Sequence, residues 1–221
     1  MHKKLIAEFF GTLFLVTCVI GSGIAASKLS PGNLGLELFE NSFATGGGLI
    51  CLILCFGPIS GAHFNPLVSL WALVTRRVSF REFCEYVTAQ FLGGFLGALV
   101  ANAMFSRATI ELSNKVRSSF GVGLSEAIAT FGLVMVIALI AKSGRLESIA
   151  IAVGCYIASA YFFTSSTSFA NPAVTVARMF SNSFAGISPS SVPEFVSFQV
   201  IGSLCAILVV RVIEKETLAV Q

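Results

Sequence analysis

Two Asn-Pro pairs, Asn65-Pro66 and Asn171-Pro172, stand 106 positions apart in this chain, each followed by a short apolar run. Asparagine is a favoured helix N-cap, and proline suits the first helical position, where its missing N–H costs nothing. Each pair therefore starts a helix. A helix start carries a partial positive charge from its aligned peptide dipoles, and the Asn carboxamide adds N–H donors. Two such starts facing one another oppose cations and donate to neutral, oxygen-bearing solutes. Irregular backbone of this kind is tolerated inside a membrane only where it is buried or lines a water-filled cavity. The chemistry that follows is a pore for small uncharged hydroxylated molecules.

The rest of the chain has the composition to hold such starts inside a bilayer. Of its 221 residues, 55% are hydrophobic and 11% charged, with a mean hydropathy of +0.87, whereas a soluble domain carries about a quarter charged residues. The solvent is expected to be lipid, with room for about six helices of roughly 20 residues and none for an appended catalytic domain. A net charge of +3 dispersed along the chain gives no reason to expect a nucleic acid partner. All 11 acidic residues are Glu, which removes the usual Asp-based catalytic and metal constellations. The six cysteines lie in or beside apolar runs without a CxxC or Cys/His cluster, so they read as small apolar residues. No cofactor and no metal is implied.

Apolar runs over 5–26, 38–56, 83–105, 124–141, 148–163 and 192–212 predict six spans. The stretches 62–74 and 170–180 contain the Asn-Pro pairs and are too short to cross, so they read as re-entrant half-helices. The basic start Met1-His2-Lys3-Lys4 before an apolar run imitates a secretory signal, but Glu8 interrupts that run and has a counterpart in the second half. With the N-terminus inside, the inner segments hold Lys3, Lys4, Arg76, Arg77, Arg81, Lys142, Arg145, Arg211 and Lys215, and the outer ones Lys28, Arg107, Lys115, Arg117 and Arg178. Nine against five favours cytoplasmic termini at a plasma membrane.

The chain also repeats itself. Glu8 and Glu126 are 118 positions apart, Asn65 and Asn171 106, and Gln90 and Gln199 109, in the same order. Halves of about 1–106 and 120–215 within one channel domain, 1–221, account for this. Three spans per half invert the second copy relative to the first, so the half-helices dip from opposite faces and meet near the midplane. Gly93, Gly94, Gly97 and Gly202 fall in spans, where small residues permit close helix approach.

The segments SGAHFNPL and FANPAV, with a Glu in spans one and four, resemble the aquaporin (major intrinsic protein) family across nearly the whole chain. The resemblance implies an all-α membrane fold of six transmembrane helices plus two half-helices in inverted repeats. It also implies a homotetramer with one pore per subunit, conducting water and small neutral solutes passively across the lipid bilayer. The pore motifs would be Asn65, Pro66 and Leu67, with Leu where the family usually has Ala, and Asn171, Pro172 and Ala173. Glu8 and Glu126 would brace the re-entrant loops by accepting backbone N–H bonds, and His63 would pack within its loop.

Most members of the family place an Arg directly after the second motif, at the narrowest constriction. Here that residue is Val174. Offsets from the two Asn residues carry the family's filter onto Thr45, Ser159, Ser168 and Val174, with Ala158 or Ala160 as alternatives at span five. These are small residues, so the filter is expected to be wider and less polar than a water-only one. Arg178, one helical turn beyond Val174, is expected at the outer mouth or as a loop anchor. Val after the second motif with Arg four further on resembles a bacterial branch associated with arsenic resistance. Arsenous acid is neutral near pH 7 and presents hydroxyls as a small polyol does. Water, glycerol, urea, boric acid and methylated arsenicals are the other candidates. The lack of extended loops argues against dedicated glycerol uptake. A proton-coupled transporter cycling Glu8 or Glu126 is the alternative from another class, and a structural membrane protein assembling through Gly-rich faces is a third.

Overall fold

The computed structural model describes residues 2–219. The side chains of Ser143 and of Lys215 onward, including the inner charge counted at Lys215, lie outside the described residues. Eight α-helices run among the described residues: α1 His2–Leu29, α2 Leu34–Ser60, α3 Pro66–Val74, α4 Phe80–Met104, α5 Phe120–Ile140, α6 Leu146–Phe163, α7 Pro172–Arg178 and α8 Val192–Ala219. Six of them are long and apolar enough to cross a membrane. The half-helices α3 and α7, of 9 and 7 residues, are not.

Local chemistry sets several of the starts. Asn33, Ser79 and Ser119 accept the backbone N–H of Leu36, Glu82 and Val122, filling orphan donors at the head of α2, α4 and α5. Gly61, at φ +89°, ends α2 in the left-handed conformation that glycine adopts without steric cost.

Packing follows the repeat. α1 packs against α2 and α4, and α5 against α6 and α8 in the same way, while α2 and α6 join the halves. At that junction a Cβ on Gly46 would come within 2.9 Å of the Gly154 carbonyl oxygen, and one on Gly154 within 2.6 Å of the Gly46 oxygen. Gly93 of α4 lies against the Phe9 carbonyl, and Gly202 of α8 against the Ala127 carbonyl. Both relations are conserved under the repeat, so the helix pairs that carry Glu8 and Glu126 close to backbone contact.

Polarity is distributed as a bilayer requires. Glu8, Gln90, Glu126 and Gln199 are wholly buried, whereas Phe14, Phe43, Phe162, Ile201 and Leu208 face outward. Lys4 pairs with Glu82 at 2.7 Å and Lys142 with Glu214 at 3.5 Å, which ties the ends of α1, α4, α5 and α8 predicted to share one face. At the opposite end the 105–119 connection lies on the segment after α7, with the Ser113 N–H on the Met179 carbonyl at 2.9 Å and the Ser188 N–H on the Lys115 carbonyl at 2.8 Å.

Gly202→Ala should lower the melting temperature in detergent by several degrees, because its methyl meets a carbonyl on α5 and overpacking costs about 1–3 kcal/mol. Gly47→Ala, where the added carbon meets nothing within 4 Å, should leave it unchanged or raise it.

Candidate functional site

Each re-entrant loop hangs on one buried carboxylate. Glu8 Oε1 accepts from the Ser60 hydroxyl at 2.6 Å and the His63 N–H at 2.9 Å, and its Oε2 from the Phe64 N–H and the Gln90 carboxamide, both at 2.8 Å. Glu126 repeats the arrangement, accepting from the Phe169 and Ala170 N–H groups at 2.9 Å and from Gln199 at 2.5 Å. Gln90 also donates to the Ser69 hydroxyl on α3, as Gln199 does to the Thr175 hydroxyl on α7. All these donors are neutral. Ala62 and Phe64 before Asn65, and Ser168 and Ala170 before Asn171, sit at φ +51°, +50°, +48° and +48°. Such backbone costs about 1–3 kcal/mol per residue outside glycine. Hydrogen bonds to a charged acceptor each return about 1.5–3 kcal/mol, which is enough to hold both loops in this shape.

The loops deliver the two Asn side chains to each other. Asn65 Nδ2 donates to the Ala170 carbonyl and Asn171 Nδ2 to the Phe64 carbonyl, both at 2.8 Å. Their Oδ1 atoms cap the half-helices, accepting from the Leu67 N–H at 2.9 Å on α3 and from the Ala173 N–H at 3.0 Å on α7. Each carboxamide thus spends one N–H across the midline and keeps the other. Both Asn residues line the central cavity. Pro66, Leu67, Pro172 and Ala173 are buried behind them and do not line it.

That cavity, of about 360 Å³, runs from Lys4, His63 and Arg77 at one end, past the Asn pair, to Thr45, Tyr161 and Arg178 at the other. One wall is apolar, with Leu49, Ile53, Val153 and Ile157. The other carries the Asn carboxamides and the loop segments around His63 and Ser168. His63 is fixed by its Nδ1 contact with the Ser69 hydroxyl at 3.0 Å and by the Tyr86 ring.

At the end away from the termini, Thr45, Ser168 and Val174 line the cavity. Ser159 does not. It is exposed on the outside of α6, with its hydroxyl turned back on the Cys155 carbonyl at 2.8 Å. Neither Ala158 nor Ala160 is in the lining. The inward face of α6 is instead Val153, Ile157 and Tyr161, one turn apart from each other. Counting back from Asn171 missed this because the loop length shifts the register by two, and a helix apolar all round gives no periodicity to correct it.

Arg178 is 1% exposed, so it is an inner lining residue and not a solvent-exposed mouth residue. Its Nε donates to the Ala185 carbonyl, and the guanidinium lies 3.3 Å from the centre of the Phe169 ring. Arg117 approaches the same ring at 5.3 Å and ties the 105–119 connection to the segment after α7 through the Gly186 and Phe184 carbonyls at 2.9 and 3.1 Å. Lys115 also donates to the Phe184 carbonyl, at 2.9 Å. Burial pushes the Lys115 amine down to about 8, with the nearby Arg117 and Arg178 charges adding to it. Burial likewise lowers Arg117 to about 10. Neither loop residue was singled out as a site residue by sequence.

Two outcomes follow. Glu126→Gln should cost about 2–4 kcal/mol, read as a lower melting temperature in detergent, because an NH2 group would then face donors. Half-buried Glu111→Gln, which gives up the ion pair with Arg107 at 3.1 Å, should cost under about 1 kcal/mol. The second concerns pH. Between about 8 and the ordinary lysine value of 10.5, the unfolded chain binds more protons at position 115 than the folded one. Wild type should therefore gain stability relative to Lys115→Gln as pH rises through that window, measured by paired melts.

The family model described as Major intrinsic protein matches residues 1–168 and 138–221. The chain is 44% identical over 211 residues to Aquaglyceroporin AqpS of Rhizobium meliloti (strain 1021), covering 96% of this chain and 90% of that protein. It is 34% identical over 171 residues to the human lens fiber major intrinsic protein, covering 73% of this chain and 62% of that one. Among solved structures, the aquaglyceroporin from Plasmodium falciparum shares the fold at a TM-score of 0.71 and 20% identity, over 94% of each chain. Matched in both halves and at this identity over nearly its whole length, the chain belongs to the major intrinsic protein (aquaporin) family of multi-pass membrane channels and is not an enzyme.

Proposed function

We propose that this channel passes water and small neutral hydroxylated solutes by a passive route of relaxed selectivity. Glycerol-like polyols and metalloid acids such as arsenous acid are its candidate cargo. The observation that carries the reading is that Asn65 and Asn171, each bonded to the other's loop, stand at the centre of a cavity with one apolar and one polar wall. A solute that exchanges its hydration for the carboxamide donors while its carbon face slides on Leu49 and Ile53 matches both walls. Thr45, Ser168 and Val174 are small, and the larger Tyr161 and Arg178 beside them in the lining add polar surface that suits hydroxylated solutes. Two proteins that this chain resembles, one from Rhizobium meliloti and one from Plasmodium falciparum, are called aquaglyceroporins.

Glu8 and Glu126 favour this reading over a proton-coupled cycle. Every partner of their oxygens is a donor, so protonation would displace a bond that shapes the pore. In this reading residues 1–221 form one channel domain of two inverted halves, about 1–106 and 120–215. The protein is a homotetramer in a bacterial plasma membrane, with both termini cytoplasmic and neither cofactor nor nucleic acid involved.

Stopped-flow light scattering on proteoliposomes tests it. Water and glycerol should both cross faster than in empty vesicles, and the reading fails if neither does. Val174→Arg should suppress glycerol by about tenfold or more while water still passes, since a long cation fills the space beside Thr45 and Ser168. Unchanged glycerol flux in that variant would contradict the filter assignment.

A further inference from the structure

Cys51 and Cys55 stand four residues apart on α2, both exposed, on the face turned away from Leu49 and Ile53 and so from the cavity. Their side chains meet, as i, i+4 neighbours on a helix do. Cβ atoms at that spacing lie about 5–6 Å apart, whereas a disulfide needs roughly 3.5–4.5 Å. The two thiols cannot close on each other without distorting the helix. One atom inserted between their sulfurs can bridge them.

The surroundings select that atom. A zinc-like ion takes four ligands and ionised thiols, and among the described residues no group of three or more His, Cys, Asp and Glu side chains could hold a metal ion. The pair also lies in an apolar span, where creating charge is costly. A trivalent arsenical with one organic group, RAs(OH)2, makes the bridge without charge: two S–H and two As–OH bonds break, two As–S bonds form, and two water molecules leave. Arsenic stays trivalent, so no oxidant or reductant enters. Its pyramidal geometry also draws two sulfurs closer together than a linear two-coordinate ion would.

We propose that Cys51 and Cys55 form a dithiol site on the face of α2 turned from the pore, which captures trivalent arsenicals bearing one organic group. The site does not depend on what the pore conducts. Cys84, Cys155 and Cys205 are exposed thiols with no second cysteine one turn away on their helices. Cys18 is only partly exposed, and its thiol donates to the Ala44 carbonyl at 3.3 Å. A single thiol bonds arsenic once and yields it to a competing monothiol. A pair holds it twice, with the second bond made at high effective concentration.

The test treats the full chain in proteoliposomes with phenylarsine oxide, washes with excess 2-mercaptoethanol, and reads the intact mass. Wild type should keep one phenylarsenic group through that wash and release it to the dithiol 2,3-dimercaptopropanol. Cys51→Ser and Cys55→Ser should each hold the group about a hundredfold or more less tightly against the monothiol, the scale on which a linked second bond acts. A variant carrying Cys84→Ser, Cys155→Ser and Cys205→Ser together should retain it as wild type does. Melting temperature checks the fold of each variant, and where serine lowers it, alanine at the same position takes its place. Wild type that keeps no adduct overturns the site, and so does an adduct that survives in either single variant. Loss of the adduct in the triple variant puts the bridge on other thiols and overturns it equally.

Discussion

Two buried carboxylates, and the amides they collect, are the constraint on which this pore depends. Without Glu8 and Glu126 the strained residues before each Asn-Pro pair have nothing to turn toward. Water would satisfy those amides, and water-solvated loops would not carry Asn65 and Asn171 into register. An anion in a membrane interior is costly unless every lone pair is used. Here the cost is met by neutral donors on the same loops, together with Gln90 and Gln199. The charge therefore stays out of the conduction path and acts on it through geometry.

Close helix packing delivers those carboxylates. Gly93 and Gly202 let α4 and α8 approach the backbones beside Phe9 and Ala127, the residues that directly follow Glu8 and Glu126. The same helices carry Gln90 and Gln199. One small residue per half thus sets the distance across which a carboxylate, a carboxamide and a half-helix hydroxyl can bond. Because the halves are inverted copies, one solution serves both, and the half-helix starts meet head to head. The end away from the termini breaks the symmetry. Lys115 and Arg117 stitch the 105–119 connection to the segment after α7, and beneath it Arg178 is packed on Phe169 and Tyr161 joins Thr45.

The conserved spacing of Glu8, Asn65 and Gln90 with Glu126, Asn171 and Gln199 made the fold and the pore centre legible in the sequence. Those residues act through local rules: an N-cap, a helix start, a polar side chain in an apolar run. Thr45, Ser168 and Val174 were reachable because their distance from an Asn is fixed by a helix or a tight loop. Position 159 was not, because the connection between α6 and Asn171 has no fixed length and every face of α6 is apolar enough to be the inner one. Tyr161 stayed hidden for the same reason. Arg178 looked like a mouth residue because burying an arginine is the exception. Its burial depends on the Ala185 carbonyl and the Phe169 ring, which only the folded outer loop brings to it.

The central claim is that carboxylate-held Asn residues, each bonded to the loop of the other, make a path for neutral hydroxylated molecules and a barrier to charge. Its most direct test is simultaneous glycerol and proton flux in proteoliposomes holding a pH-sensitive dye, with no pH gradient imposed and then with one. The account predicts glycerol entry well above empty vesicles, linear in concentration and indifferent to the gradient, while proton leak stays at the empty-vesicle level. Glycerol flux that saturates and follows the gradient, or a proton leak that rises with the amount of protein, would contradict it.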